Sequence, residues 1–360
     1  MTHDRASTAA ADGIEYDRRD RHGVLRVFGR EVLAGSPRAR DAWLDRACEY
    51  WRRRGFPFPR VTRRDLEREF GRLLAVPPGT IVRGNALAPS MVGLRIANAF
   101  HPQMWRVKVH GVSAVERFQD DGVLREALLK ALRFWPDRRC WNAQCVRSMM
   151  RIHHRTRIAN FRPTVAKALI THYSTSGSHV FDFSAGFGGR LLGALALDRH
   201  YIAVDPARSQ VRGLRRMVKA TRRVCRGTAE VHQTCAEVLM PTLPSHSVDL
   251  VFSSPPYFDL ERYSTERTQS YIRYPTYDRW RDQFLSVVIR EAHRMLRRGG
   301  FLVLNVSNTH RCPVASDAYR QAAKRFRVIR RFRLLMNAPP TDRARGCLYR
   351  WEPVFVFQKR

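Results

Sequence analysis

Four consecutive residues, Ser254-Pro255-Pro256-Tyr257, have side chains that suit the binding of a planar amine. They follow a short apolar stretch at 249–252, which predicts a buried strand. Two prolines remove two backbone donors, so the neighbouring carbonyls lack a strand partner. Ser254 and one such carbonyl can accept the two N–H bonds of an amine, while Tyr257 stacks on its heterocycle. The pattern suits methylation of an exocyclic amino group of a base; the structural alternative is a strand-ending turn with a packed tyrosine.

A glycine-rich turn precedes this motif by about seventy residues. Residues 182–190 read Asp-Phe-Ser-Ala-Gly-Phe-Gly-Gly-Arg, follow a predicted strand and open a predicted helix. Small residues such as Gly186 and Gly188 let a ligand approach the backbone, and a helix N-terminus favours polar or anionic groups. A tight strand-to-helix turn is the alternative. No lysine follows the glycines, which excludes a P-loop.

Three acids lie at the ends of predicted strands. Asp205 follows strand 201–204, where an acid of a nucleotide site bonds ribose hydroxyls; alternatively it caps a helix that starts at Pro206. Glu237 follows the third strand and would bond the adenine edge of the same ligand, or is an ordinary exposed acid. Asp182 would bind the amino group of the ligand or cap the helix.

Strands and helices alternate from about residue 160 onward, which predicts an α/β fold with a mostly parallel sheet and helices on both faces. The predicted strands are 179–183, 201–204, 230–234, 249–252 and 301–306, with a closing antiparallel pair at 331–336 and 353–358. The predicted helices are 188–197, 209–222 and 280–297.

The first half of the chain has a helical pattern and many arginines. Residues 1–35 predict a mobile tail, 36–158 a helical domain with a possible role in nucleic-acid recognition, and 159–360 the α/β domain. Within the helical part, Thr62 predicts a helix cap with Asp65 three residues on.

The charge of the chain indicates a polyanionic partner. Its 65 Lys and Arg residues against 32 Asp and Glu give a formal net charge of +33 over 360 residues. A GC-rich genome explains arginine over lysine but not this excess, which favours nucleic acid.

Cysteine use and hydropathy predict a cytoplasmic protein. Seven cysteines form no regular framework, which favours a reducing compartment, and no segment predicts a signal peptide or a membrane span. Cys140 and Cys145, followed by His153 and His154, lack the spacing of a standard zinc site, so we expect no metal.

The order of these motifs resembles the S-adenosylmethionine-dependent amino-methyltransferases of DNA, the N4-cytosine and N6-adenine enzymes. Residues 182–190 are similar to their DPFxGxGTT motif, with Phe183-Ser184 for Pro-Phe and Gly189-Arg190 for Thr-Thr. Residues 160–163, Asn-Phe-Arg-Pro, resemble the upstream motif that closes over the methionine end; Arg162 is alternatively a surface or phosphate contact. Residues 297–301 and 351–357 resemble the helix–Gly-Gly–strand step and the C-terminal strand.

The resemblance, over about 160–359, implies a Rossmann-like class I methyltransferase domain and a flipped-out target base. The cofactor would be S-adenosyl-L-methionine, held by Asp182, Ser184, Gly186, Gly188, Asp205, Glu237 and Phe161. Ser254 to Tyr257 would be the catalytic residues, and the serine favours cytosine N4 over adenine N6. The expected partner is DNA. An RNA base methyltransferase and a catalytically inactive nucleic-acid-binding protein are alternatives.

Residues 258–281 are dense in aromatic residues and arginine. They would contact nucleic acid or form a loop over the cleft with the tyrosines packed inward. The residues concerned are Tyr263, Arg267, Tyr271, Arg273, Tyr274 and Tyr277. Asp259 and Glu261 would orient the amine or pair with neighbouring arginines.

Overall fold

The computed structural model describes residues 23–24, 26–88, 90–108, 111–137, 143–152, 158–258, 262–337 and 349–360. The chain forms two compact units. The first comprises Met1–Arg60 and Trp105–Ile158, and the second comprises Val61–Met104 and Ala159–Arg360. The second unit carries the α/β sheet.

The helices and strands are numbered along the whole chain. The helices are α1 (Gly29–Ala34), α2 (Pro37–Arg54), α3 (Arg63–Ala75), α4 (Pro78–Ile81), α5 (Leu94–Ala99), α6 (Ala114–Phe118), α7 (Asp121–Phe134), α8 (Ala143–Ile152), α9 (Pro163–Tyr173), α10 (Gly189–Leu195), α11 (Arg208–Thr221), α12 (Ala236–Leu239), α13 (Ser270–Arg273), α14 (Tyr277–Trp280), α15 (Ser286–Met295) and α16 (Val314–Ala323). The strands are β1 (Val82–Arg83), β2 (Ala86–Leu87), β3 (His179–Asp182), β4 (His200–Asp205), β5 (Thr228–Gln233), β6 (Val248–Ser253), β7 (Leu296–Asn305), β8 (Arg327–Asn337) and β9 (Tyr349–Gln358).

The first unit is helical, as predicted. Helix α2 begins where the Ser36 hydroxyl accepts the Ala39 N–H at 3.2 Å, with Pro37 in the first helical position. The Arg52 guanidinium bonds the Asp121 carboxylate at 2.6 Å and so links α2 to α7.

Part of the predicted mobile tail is ordered. Residues 1–22 lie outside the described residues, but Gly29–Ala34 forms α1. Gly29 lies against Pro136, where a Cβ would come within 3.1 Å of Pro136 atoms, and Val32 is buried. The prediction of a tail over 1–35 is therefore wrong for 29–34, because apolar contacts fix this helix.

One sheet in the second unit contains all the described strands, in the order β1-β2-β8-β9-β7-β6-β3-β4-β5. Strands β3 to β7 pair in parallel, while β9 runs antiparallel to both β7 and β8. This confirms the predicted Rossmann-like α/β fold with a closing antiparallel pair. The strand order reverses direction at β3, between β4 and β6, which makes this the switch point of the sheet.

Helices cover both faces of the sheet because its strands are apolar on both sides. Val180 and Phe252 pack with α3, α9, α10 and α11 on one face. Phe181 and Val251, their neighbours along the strands, pack with α15 and α16 on the other. This alternation with period two is that of a doubly covered parallel sheet.

Residues 61–104 belong to the α/β unit, which differs from the predicted division at 158. Phe70 and Leu73 of α3 are fully buried in the core with the sheet. Lys167 of α9 donates from Nζ to the Leu73, Leu74 and Val76 carbonyls at 3.0, 2.7 and 2.8 Å. The core therefore draws on a segment that precedes the sheet in sequence. The predicted cap is confirmed, since the Thr62 hydroxyl accepts the Asp65 N–H at 3.1 Å.

The predicted helix 280–297 is divided. Helix α14 continues through the π-helical turn Arg281–Leu285 into α15, and β7 already begins at Leu296. Leu296 pairs with Val248 before the Gly-Gly step, and a register shift follows. Gly299 has a φ of +79°, so the glycine pair makes a bulge within the strand instead of ending the helix.

Candidate active site

A cavity of about 260 Å³ opens where the carboxyl ends of β3, β4 and β6 meet. The sheet reverses its order here, where α/β folds bind ligands. Both predicted motifs line this cavity. The predicted site residues that line it are Phe161, Ser184, Gly186, Asp205, Glu237, Ser254, Pro255, Pro256 and Tyr257.

The three glycines of the turn lie in different surroundings, so the absence of a side chain has a different effect at each. Gly186 has a φ of +55° and lines the cavity, and a Cβ there would find no atom closer than 3.8 Å. Gly188 is not a lining residue; a Cβ there would lie 2.7 Å from the Met217 side chain. A Cβ on Gly189 would lie 1.9 Å from the Phe161 carbonyl oxygen. Gly186 therefore leaves room for a ligand, whereas Gly188 and Gly189 leave room for the protein itself.

Asp205 is buried at the end of β4 and faces the cavity. Its two oxygens accept the Gly186 and Ala207 N–H groups, both at 2.9 Å. Burial raises the pKa of this carboxyl to about 7, above its ordinary value of 3.8. Helix α11 begins at Arg208, later than the start at Pro206 that the capping alternative required.

Glu237 is held at the cavity by residues from the aromatic segment. Arg273 Nε donates to Oε1 at 3.1 Å, and the Tyr274 hydroxyl donates to the same oxygen at 3.1 Å. Only 6% of the Glu237 side chain is exposed. The acid after the third strand is thus a positioned group of the cavity wall.

Asp182 lies beneath the cavity instead of lining it. Arg190 contacts both carboxylate oxygens at 2.7 and 3.3 Å, and the Ser253 hydroxyl donates at 2.7 Å. The Tyr201 hydroxyl donates to it as well. The carboxylate is fully engaged by protein donors, so the structure gives it a supporting position away from any ligand.

Arg190 connects the two motifs. Its buried guanidinium holds Asp182 through Nε and Nη2, and it donates from Nη1 to the Ser254 hydroxyl at 2.9 Å. It also donates to the Ser184 carbonyl and lies 5.5 Å from the centre of the Phe161 ring. The sequence marked this residue only as a departure from a family motif.

The Ser-Pro-Pro-Tyr motif follows β6 directly. The Ser254 hydroxyl donates to Asn305 Oδ1 at 3.3 Å. The Pro255 carbonyl accepts no hydrogen bond from the residues that the structure describes. The Tyr257 hydroxyl lies 3.5 Å from Glu352 Oε2.

Sequence reasoning missed Asn305 and Glu352 as site residues. Asn305 Nδ2 donates to the Pro353 carbonyl at 3.2 Å and lies 3.5 Å from Glu352, which fixes the amide that meets Ser254. Burial raises the pKa of the Glu352 carboxyl. The sequence offered one signal for Asn305, because it is a polar residue at the end of an apolar strand. Glu352 had no such signal, since strand β9 brings it to the site from far along the chain.

The upstream motif at 160–163 is hydrogen-bonded to the glycine-rich turn. Asn160 Oδ1 accepts the Gly189 N–H at 3.1 Å, and its Nδ2 donates to the Phe187 carbonyl at 2.9 Å. The Phe161 ring packs edge-to-face on Phe252 at 5.5 Å. Arg162 Nη1 lies 3.4 Å from the Ser90 carbonyl, within the protein.

The tyrosines of the aromatic segment pack inward. Tyr274 bonds Glu237, Tyr277 donates to Asp317 at 2.6 Å, and Tyr271 donates to a backbone carbonyl at 2.7 Å. The Tyr263 ring lies 5.5 Å from that of Phe187, while Arg267 is exposed. The segment forms a wall of the cavity.

Some predictions concern residues outside the described ranges, namely Asp259, Glu261, Cys140, His153 and His154. Within those ranges, no group of His, Cys, Asp or Glu has the arrangement of a metal site. No described helix has the length and apolar character that crossing a bilayer requires.

Neither a protein-family model nor a curated protein matches this chain. Among solved structures, it is similar to TrmN from Thermus thermophilus, with 17% identity over 55% of this chain and 49% of that one, and a TM-score of 0.40. A methyltransferase from Pyrococcus furiosus shows 13% identity over 55% and 82% of the two chains, with a TM-score of 0.37. A geranyl diphosphate C-methyltransferase from Streptomyces coelicolor A3(2), solved with S-adenosyl-L-homocysteine, shows 14% identity over 54% and 78%, with a TM-score of 0.37.

The matched region of this chain spans about half the length of TrmN. Likeness at this level assigns neither a substrate nor a cofactor to the chain.

Proposed function

We propose that this protein transfers a methyl group from S-adenosyl-L-methionine to an exocyclic amino group of a base in DNA, with cytosine N4 favoured over adenine N6. The observation that carries the proposal is that one cavity is lined by both motifs, the glycine turn with Asp205 and the residues 254–257. A nucleoside cofactor and a planar amine bound to these residues would face each other.

The residues at β4 fit a nucleoside. No cation among the described residues lies within 4.0 Å of Asp205, whose buried carboxylate has only backbone donors. A buried carboxylate of this kind is costly unless further donors reach it, and ribose hydroxyls are such donors. Asp205 would hold the ribose, Glu237 the adenine edge, and Gly186 would allow close approach. S-adenosylmethionine, when bound, supplies an electrophilic methyl group on its sulfonium.

The amine would be held by Ser254 and Pro255. A serine hydroxyl has two acceptor lone pairs; Arg190 uses one at 2.9 Å, which leaves one for an amine N–H. The Pro255 carbonyl would accept the second N–H. Two such bonds draw the nitrogen toward a tetrahedral, nucleophilic shape, and fixed positioning contributes most of the acceleration. As the nitrogen–methyl bond forms, the methyl–sulfur bond would break to leave a neutral thioether, and the methylated amine would release one proton to solvent.

A base within a duplex is out of reach of such a cavity and would be flipped out, at a cost of a few kcal/mol. Stacking on the Tyr257 ring would recover about 1–3 kcal/mol. The net charge of +33 supports a nucleic acid as the carrier of the base. Serine in the first motif position supports cytosine through the family resemblance.

The test replaces the amine-binding side chains. We expect Ser254→Ala and Tyr257→Ala to abolish methyl transfer to duplex DNA from labelled cofactor, while calorimetry shows unchanged cofactor binding. Tyr257→Phe retains the ring and is the matched control, which should keep most of the activity. Full activity in both alanine variants would refute the amine site.

Two further measurements address the substrate. Mass spectrometry of nucleosides from DNA of cells that express the protein should show N4-methylcytosine. Methylation of tRNA or rRNA in place of duplex DNA would assign the activity to RNA. An inactive nucleic-acid-binding protein would instead show no cofactor binding and no effect of Asp205→Ala.

A further inference from the structure

Helix α11 carries a stripe of exposed cations along one side. Arg208, Arg212, Arg215, Lys219 and Arg222 stand at intervals of four, three, four and three residues, and all five are exposed. The first four belong to α11 and Arg222 is its C-cap, which keeps helical backbone angles, so these intervals place all five on one face. We call these five residues the α11 stripe.

The cations of the α11 stripe have no acidic partner in the described part of the chain. Residues 208–226 contain no Asp or Glu, and no carboxylate of a described residue lies within 4.0 Å of a stripe cation. Like charges at these intervals destabilise an isolated helix. The neighbouring helix α3 differs, since Arg68 pairs with Asp65 at 2.6 Å and Arg72 with Glu69 at 2.9 Å. The α11 stripe thus differs from the paired cations Arg68 and Arg72 of α3.

The stripe begins at the cavity. Arg208 directly follows Ala207, whose N–H bonds Asp205, and its own N–H lies 3.3 Å from Glu266. Gln210, two residues further, lines the cavity. From there the five cations extend along about 21 Å of helix at 1.5 Å per residue.

We propose that the α11 stripe binds the phosphate backbone of the DNA that carries the target base. The inference rests on the proposed function and adds to it the surface that docks the polymer beside the cavity. Exposed arginines without a carboxylate partner suit phosphates, and of the four in the stripe Arg215 also donates to the Val231 carbonyl at 3.1 Å. In duplex DNA each strand carries one charge per 3.4 Å of helix axis, so a 21 Å row covers the axial length of about six charges of one strand.

Matched triple variants test this surface in the full-length protein. The stripe variant carries Arg212→Gln, Arg215→Gln and Lys219→Gln. The control variant carries Lys324→Gln, Arg325→Gln and Arg327→Gln, three exposed cations between α16 and the start of β8. Both variants lose three positive charges, and neither replaces a residue that lines the cavity.

The readout is fluorescence anisotropy of a labelled DNA duplex between about 50 and 200 mM salt. Each lost phosphate contact lowers the slope of log affinity against log salt by about 0.9, so the stripe variant should lose up to about 2.7 and the control much less. Equal losses in both variants, or an unchanged slope in the stripe variant, would overturn the proposal. A difference seen with duplex RNA and not with DNA would overturn the choice of DNA.

Cofactor binding separates this inference from the proposed function. Calorimetric titration with S-adenosyl-L-methionine should give the same affinity in both triple variants, because neither changes the cavity. A stripe variant that binds cofactor normally and keeps the full salt slope refutes the α11 stripe and leaves the proposed function standing. If the wild type binds no cofactor but the two variants still differ in slope, the proposed function is refuted and the α11 stripe stands.

Discussion

Among single residues, Arg190 has the widest influence on the candidate site. One guanidinium holds Asp182 below the cavity and Ser254 at its wall, so the cofactor turn and the amine motif share a side chain. The sequence predicted both ends of this link but not the link itself. In a motif comparison, a residue that differs from the motif counts as a lost function. Here the differing residue, Arg190, supplies a buried ion pair.

Removing Arg190 should therefore destabilise the protein. Arg190→Met leaves the Asp182 carboxylate buried without its cation, which costs about 3–5 kcal/mol. Asp182→Asn combined with Arg190→Met should recover part of that loss, because no unpaired charge remains. Urea unfolding of the wild type, both single variants and the double variant measures the coupling. Strictly additive losses would show that the pair is not an energetic unit.

Asp205 predicts a pH dependence for nucleoside binding. Burial raises its pKa to about 7, so the empty site holds a proton on this carboxyl below that pH. Ribose hydroxyls donate to the ionised form, so the carboxyl must lose its proton when a nucleoside binds. Affinity should rise by up to about tenfold per pH unit toward pH 7 and then level off.

Adenosine is the suitable probe for this dependence, since it has no group that titrates near neutral pH. Asp205→Asn is the control and should bind adenosine weakly and without the rise. A wild-type affinity that stays constant from acid to neutral pH would contradict the raised pKa or the ribose role.

Among the elements, the strands that carry the site were the most predictable. Strands β3, β4, β5 and β6 lie within two residues of their predicted ends. In β3, β4 and β6 an apolar run that ends in a polar residue is the signal. The hairpin of β1 and β2 was not predicted. Each of its strands has only two residues, too few to show a period, and its place depends on pairing with β8.

The contact between α9 and α10 gives a test at this scale. A Cβ on Gly193 of α10 would lie 2.6 Å from the Ala166 Cβ and 2.7 Å from the Pro163 carbonyl oxygen of α9. Gly193→Ala should therefore destabilise the fold by about 1–3 kcal/mol through overpacking.

Gly71 of α3 is the matched control, because a Cβ there would meet no atom within 4 Å. Gly71→Ala should stabilise the protein by up to about 1 kcal/mol through helix propensity. Urea midpoints at unchanged m values measure both effects. A stabilising Gly193→Ala would mean that the two helices can separate at no cost.

For the whole molecule, the pattern of the sequence did not predict the division into units. The helical pattern of 61–104 resembles that of its flanks, so a division by pattern placed the segment with the other helices. Its buried side chains instead complete the core of the α/β unit. A sequence shows which residues are apolar, but not which of two cores they enter.

The outer edge of β8 has a consequence for how copies of the protein behave in solution. In the described part of the chain, the hairpin pairs with β8 at Arg333 and Leu334, and no other strand pairs with the outer edge of the six residues before them. An open edge of this length is a template for strand pairing between molecules, and charged residues such as Arg330 and Arg331 oppose it by repulsion. At about 1 M salt the screening length falls to about 3 Å, and that repulsion fades. Concentrated salt, which keeps many basic proteins dispersed, would here favour aggregation through the sheet edge.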